Sequence, residues 1–80
     1  MEAPKNHILF RNDIQAVRQQ KGYSQNQLAR ALGIRRDELS IIENGHRLPS
    51  KEVTEKIKEE LSCLISDLYP LELQKIIYGK

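Results

Sequence analysis

The feature that most constrains this chain is a helical spacing of apolar residues that glycines interrupt at short intervals. Phe10, Ile14 and Val17 are separated as i, i+4 and i+7, so they share one face of an α-helix. Gly22 follows, and glycine readily adopts the left-handed conformation that ends a helix. The spacing predicts a first helix over residues 9–21, and no alternating run is long enough to predict a strand.

The second and third predicted helices flank a short turn at Gly33. Ser24 opens the second helix, because a serine followed three residues later by a glutamine, Gln27, forms the S-x-x-Q capping pattern. The third helix is predicted over residues 36–44 and ends at an Asn-Gly pair. Its inward face carries Leu39 and Ile42, and its outward face carries Arg36, Asp37, Ser40, Ile41 and Asn44.

Helical signals continue through the rear of the chain. Ser50 is a suitable cap for a fourth helix, and a short fifth helix is predicted over residues 64–69, closed by Pro70. The last ten residues show only a weak helical spacing. We therefore divide the chain into a flexible N-terminal arm (1–8), one domain (9–70) and a C-terminal tail (71–80).

Length and composition exclude several classes of protein. Eighty residues, 39% of them apolar, form one small domain with little room for an enclosed catalytic cavity. One cysteine and two histidines show no metal-ligand spacing, and no grouping of nucleophile and base is present. We therefore predict a protein that is not an enzyme and has no catalytic residues, cofactor or metal. Without a membrane-length apolar run or a signal peptide, it is expected to be soluble and cytoplasmic.

Charge leaves the partner open. The net charge is +2, with eight basic against five acidic residues in 1–47 and five against six in 48–80. A mildly basic front half is compatible with a polyanionic partner and equally with an ordinary solvated surface.

Two short helices joined by a tight glycine turn form a helix-turn-helix, whose second helix fits the roughly 12 Å wide major groove of B-DNA. The segment "SQNQLARALGIRRDELSIIENGHRLPS" resembles the Cro and phage-repressor type of this domain, the Xre family. The matching motifs are "SQ", "LA..LGI", "IENG" and "P-S", and the resemblance covers about residues 9–70. It implies an all-α, five-helix, lambda-repressor-like fold with a short C-terminal tail.

The resemblance also implies roles for individual residues. Arg18 and Glu43 match a partly buried ion pair that locks the first helix to the third. The positions that match base contacts are Arg36, Asp37, Ser40 and Ile41. The positions assigned to phosphate contacts are Gln25, Arg35, Asn44, His46 and Arg47. Alternatives stay open: Asp37 could accept from a cytosine or only favour the helix dipole, and Ile41 could contact a thymine methyl or a partner protein.

Two arginines at the start of a helix need an explanation, because the first turn disfavours cations by about 0.3–1 kcal/mol. An arginine paired to a guanine discriminates by about 1–3 kcal/mol, which exceeds that cost. We therefore favour Arg36 as a base contact and Arg35 as a contact to a phosphate or to the cap region. The alternative is two solvated surface arginines.

The chain departs from the family pattern at three positions. Arg35 replaces the usual capping Ser or Thr, Ser62 replaces a terminating glycine, and Leu64 replaces another capping residue. We therefore expect the boundary between the fourth and fifth helices to be blurred, or the two helices to be continuous.

The rear of the chain has more apolar side chains than the end of a five-helix domain is expected to leave in water. Pairing about a two-fold axis would bury them and would set two third helices about 34 Å apart. The predicted homodimer interface consists of Leu64, Tyr69, Leu73, Ile76 and Ile77. The alternative is a tail that folds back on residues 8–10 of the same chain.

The sequence therefore predicts a sequence-specific regulator of transcription that binds double-stranded DNA. It would act as a dimeric repressor on an inverted-repeat operator. The alternative is a protein-interaction module or an antitoxin, whose main partner is another protein such as a toxin. No membrane partner is expected.

Overall fold

Helices account for nearly all the regular structure of residues 9–79, the part of the chain that the computed structural model describes. The predicted flexible arm, residues 1–8, lies outside the described residues. The elements are α1 (Ile14–Gln20), α2 (Gln25–Leu32), α3 (Arg36–Glu43), α4 (Lys51–Leu61), a 3₁₀ turn (Ile65–Asp67) and α5 (Leu71–Tyr78). The all-α, five-helix prediction is confirmed, with no strand within residues 9–79. None of the described helices is long and apolar enough to cross a membrane.

The first helix begins later than predicted. It starts at Ile14 rather than at residue 9, so Phe10 precedes the helix instead of sharing its stripe. The backbone N–H groups of Leu9 and Phe10 donate to the carbonyl of Gly45, at 3.1 and 3.0 Å. These bonds hold the segment before α1 against the loop after α3, so residues 9 and 10 do not form the helix that their apolar spacing predicted.

The predicted helix ends are confirmed for the first three helices. Gly22, Gly33 and Gly45 adopt left-handed backbone conformations directly after α1, α2 and α3, with φ between 75° and 84°. The capping box of α2 is complete: Ser24 Oγ accepts from Gln27 N at 3.0 Å, and Gln27 Oε1 accepts from Ser24 N at 2.8 Å. These signals are local in the sequence, which is why they fixed the turn between α2 and α3 correctly.

The expected blurring between the fourth and fifth helices is wrong. Ser62 adopts a left-handed conformation with φ of 51°, and its N–H and that of Cys63 bond back to carbonyls of α4. In the 3₁₀ turn that follows, the side chain lies after the backbone group that it caps: Asp67 Oδ2 accepts from the N–H of Leu64 at 3.0 Å. A sharp break therefore forms without glycine. The predicted helix over 64–69 is only the 3₁₀ turn.

The core lies where α2 packs against α3 and α4, with α1 and the 3₁₀ turn closing it. Its buried apolar residues are Ile14, Leu28, Ala29, Leu32, Leu39, Ile42, Ile57, Leu61, Leu68 and Tyr69. The place of Tyr69 corrects the predicted homodimer interface, because a side chain that is 2% exposed cannot form it. The 3₁₀ turn directs both Leu68 and Tyr69 inward, and the N–H of Tyr69 bonds to the carbonyl of Ile65 at 2.9 Å.

The tail forms α5, which folds back against α4 of the same chain. Leu73 and Ile77 are half-buried against the core. At the end of the helix, the hydroxyl of Tyr78 donates to a carboxylate oxygen of Glu55, and Lys58 Nζ lies 5.7 Å from the centre of its ring. The tail therefore contacts α4 of its own chain, whereas the alternative drawn from the sequence placed it against residues 8–10, of which residue 8 lies outside the described part. In and next to the tail, large apolar side chains stay exposed at Leu64 (67% exposed), Leu71 (62%) and Ile76 (60%).

Candidate nucleic-acid interface

Helix α3 presents a polar face on one side and is anchored by apolar residues on the other. Leu39 and Ile42 are buried, which fixes the rotation of the helix about its axis. On the outer face Arg36 and Asp37 are exposed, whereas Ser40 and Ile41 are half-buried. The structure thus places the four predicted base-contacting residues on one helix and gives its first turn the greatest exposure.

A chain of hydrogen bonds connects the core to the first turn of α3. Arg18 of α1 grips Glu43 with two bonds, Nε to Oε2 at 2.7 Å and Nη2 to Oε1 at 3.2 Å. Gln25 Nε2 donates to Glu43 Oε1 at 2.9 Å. Arg36 Nη1 in turn donates to Gln25 Oε1 at 3.4 Å. The predicted partners Arg18 and Glu43 therefore meet, and their contact extends through Gln25 to the surface arginine.

This geometry orients the amide of Gln25. A carboxylate only accepts hydrogen bonds, so the NH₂ group of Gln25 must face Glu43 and its oxygen must face outward. An outward oxygen is the partner that a guanidinium requires. The side chains of Arg18 and Glu43 are only 8% and 2% exposed, so the bonds that set this orientation are shielded from water.

The start of α3 lacks a side-chain cap. Arg35 occupies the cap position with an extended backbone (φ −80°, ψ 151°), and its side chain makes no capping hydrogen bond. Asp37 and Glu38 lie in the first turn, where acids are favoured by the helix dipole. The exposed Arg35 and Arg36 stand beside these two acids, so the four side chains carry no net formal charge, and the free N–H groups of the first turn supply the positive partial charge of this end.

The loop after α3 carries the other predicted phosphate contacts. Asn44, His46 and Arg47 are exposed, around a buried Gly45. Asn44 Nδ2 lies 3.5 Å from Ser40 Oγ on α3. Arg47 Nη1 lies 3.7 Å from a carboxylate oxygen of Glu38, an exposed pair that did not emerge from the sequence.

A helix-turn-helix family model matches residues 14–68. The chain belongs to the Xre-type helix-turn-helix family. This family consists of DNA-binding transcription regulators and is not a class of enzymes.

Two proteins illustrate how closely this family member resembles others. It is 41% identical over 59 residues to YazB of Bacillus subtilis (strain 168), described as an uncharacterised HTH-type transcriptional regulator; the match covers 74% of this chain and 86% of YazB. Its fold is similar to the crystal structure of the hypothetical transcription factor NHTF from Neisseria, with a TM-score of 0.64 and 29% identity. That match covers 80% of this chain and 74% of the other.

In this helix-turn-helix protein, one residue next to the interface was missed by the sequence analysis. Asn12 Nδ2 donates to the carbonyl of Ile42 at 3.0 Å and to that of Phe10 at 3.2 Å. Its Oδ1 accepts from the N–H of Ile14 at 3.0 Å, which starts α1. An Asn two residues before an apolar helix stripe is a local signal for such a turn, although it does not reveal the bond to Ile42. We call residues 9–13 the N-terminal strap.

Other polar groups of the described chain do not form a second site. Among residues 9–79, no three His, Cys, Asp or Glu side chains gather as metal ligands. Cys63 is half-buried, and burial raises the pKa of its thiol, which keeps it in the less reactive protonated form. Burial also raises the pKa of Tyr69, whose hydroxyl has no hydrogen-bond partner in the described structure.

Proposed function

We propose that this protein binds double-stranded DNA sequence-specifically and regulates transcription, with α3 in the major groove. The observation that carries this proposal is the exposed Arg36 on the first turn of α3, connected through Gln25 to the buried ion pair. A preoriented guanidinium loses less conformational entropy when it binds two acceptors on one base edge. Guanine offers such a pair of acceptors in the major groove.

The residues that we propose as DNA contacts lie at the start of α2, on α3 and next to the two ends of α3. Arg36 contacts a base, with Asp37, Ser40 and Ile41 as further base contacts. Ser40 and Ile41 are half-buried, so they contribute through close approach of the helix more than through reach. The phosphate contacts assigned to the two ends of α3 are Gln25, Arg35, Asn44, His46 and Arg47.

We further propose that two copies pair about a two-fold axis and bind an inverted repeat. The apolar side chains available for pairing are Leu64, Leu71 and Ile76, which are 60–67% exposed, with Leu73 and Ile77 beside them. Bound to a promoter in the cytoplasm, such a dimer would exclude polymerase and thus act as a repressor. This chemistry requires no cofactor.

Selection of bound duplexes from a random pool tests the proposal. We expect a palindromic consensus, and we expect affinity to fall steeply with salt because each neutralised phosphate releases counterions. Arg36→Ala should relax preference at one base position by about 1–3 kcal/mol, whereas Arg47→Ala should weaken all sequences alike and reduce the salt slope by about 1.

Failure to bind any duplex at low ionic strength would refute the proposal. If binding partners are instead proteins, captured without dependence on salt or on Arg36, the outer face of α3 is a protein-docking surface. An antitoxin that covers a toxin with α5 would belong to that case.

A further inference from the structure

We propose that Asn12 is a positioning residue for DNA-backbone contacts: it ties the end of α3 to the N-terminal strap and so holds the loop 44–47 in place. This inference rests on the proposed function. Asn12 itself is not among the proposed base contacts or phosphate contacts. It acts through the carbonyl groups that it binds.

The strap makes two connections to the end of α3. Asn12 Nδ2 binds the carbonyl of Ile42 in the last turn, at 3.0 Å across 30 residues of sequence. The N–H groups of Leu9 and Phe10 both bind the carbonyl of Gly45, at 3.1 and 3.0 Å. Carbonyls at a helix C-terminus have no partner within the helix, so these bonds come from outside it and fix where the loop departs.

The other contacts of the loop are local, to α3 and within its own turn, and they include the exposed pairs of Asn44 with Ser40 and of Arg47 with Glu38. The N–H of Gly45 donates to the carbonyl of Ile42 at 3.0 Å, and the N–H of His46 to that of Ile41 at 3.1 Å. The carbonyl of Ile42 is therefore shared between the turn and Asn12. Removing the Asn12 side chain keeps the bonds from Leu9 and Phe10 to Gly45, but it removes the side-chain bond that holds the Ile42 carbonyl, so the turn should open more often.

The side chain at position 12 uses both ends of its amide. The oxygen accepts from the N–H of Ile14, and the nitrogen donates to Ile42 and Phe10. An aspartate keeps the acceptor and loses the donor. A serine can still accept from a backbone N–H two residues on, but it is too short to reach the bond now made to Ile42.

The consequence for binding concerns the backbone contacts and not the base contacts. Hydrogen bonds to phosphate weaken steeply beyond about 3.2 Å, so a small shift of the loop that carries Asn44, His46 and Arg47 breaks them. Arg36 lies at the other end of α3, and its contact leads through Gln25 to the buried Arg18–Glu43 pair, to which Asn12 is not hydrogen-bonded. Base preference is therefore expected to survive a change at Asn12.

The test compares Asn12→Ser and Asn12→Asp with the unaltered protein on one selected duplex across a series of salt concentrations. We expect roughly tenfold weaker binding and a salt slope shallower by about 0.9 for each phosphate that the loop no longer neutralises. Preference at the Arg36-dependent base should be unchanged. In the free protein, amide hydrogen exchange of Gly45 and His46 should be faster, a measurement that needs no DNA.

Val53→Ala is the matched control, because Val53 is half-buried on α4 and its truncation lowers stability without touching the strap. It should leave the salt slope unaltered. The inference is overturned if the Asn12 variants match this control in slope and exchange, or if they change base preference. Absence of duplex binding by the unaltered protein would instead refute the proposed function itself.

Discussion

Glu43→Gln is the substitution that probes the connection between core and surface most directly. It preserves the size of the side chain but leaves the Arg18 guanidinium buried without an opposite charge. The two side chains are 2% and 8% exposed, so water cannot replace the missing partner. Breaking a buried pair in this way costs about 3–5 kcal/mol.

That decrease is large for a chain of this size. At about 0.05–0.15 kcal/mol per residue, the 80 residues have a total free energy of unfolding of roughly 4–12 kcal/mol. Urea unfolding followed by helical circular dichroism measures the change as a lower midpoint. Glu59→Gln, an exposed position on α4, should stay within about 0.5 kcal/mol of the unaltered protein. A decrease below about 1 kcal/mol for Glu43→Gln would refute the argument.

A double variant separates stability from orientation. Arg18→Met combined with Glu43→Leu leaves no buried charge, and replacements of this kind are often neutral or stabilising. Stability should therefore recover. The amide of Gln25, however, loses the carboxylate that orients it, so base preference at the position that we propose Arg36 contacts should relax. Recovered stability with unchanged base preference would show that the buried pair does not orient the surface arginine.

Three further substitutions test other features of the chain. Ser62→Gly should stabilise the protein by about 0.5–1 kcal/mol, because glycine adopts the φ of 51° without the steric cost that serine meets. The entropy that glycine loses on folding offsets part of this gain. An unchanged urea midpoint would contradict this prediction. Tyr69→Phe removes a buried hydroxyl without a partner in the described structure and should stabilise by about 1 kcal/mol, whereas a lower stability would indicate a partner such as a bound water. Ile76→Glu should abolish pairing in sedimentation experiments while the helical spectrum is retained, because Ile76 is 60% exposed in one chain; a dimer that persists would place the interface elsewhere.

The sequence was informative wherever a boundary depends on neighbouring residues. Ser24 with Gln27, and the glycines at 33 and 45, determine helix ends through bonds within a few positions, so the turn and α3 were predicted almost to the residue. The positions of the glycines did not predict the end of α4 at Ser62. There, a non-glycine residue adopts the left-handed conformation, and the break depends on the contacts that follow it.

The errors share a physical cause, which is competition from distant parts of the chain. Phe10 has helical spacing, but Gly45 supplies a partner for its N–H group from the loop after α3. Tyr69 was predicted to lie at a dimer interface, because the direction of a side chain after a 3₁₀ turn follows from tertiary packing and not from periodicity. The contacts of Gln25 with Glu43 and Arg36 were equally inaccessible, since they form only after folding, and the Arg18–Glu43 pair was expected only from the family resemblance.

The position of Tyr69 in the chain has an evolutionary consequence. Within residues 9–79, the buried apolar side chains of the core all lie from Ile14 to Tyr69, and α5, which follows, buries none of its residues completely. Mutations at the exposed positions after Pro70, such as Leu71 and Ile76, therefore leave the interior of the domain complete. Selection could therefore change the exposed surface of α5 while the core that supports α3 stays intact.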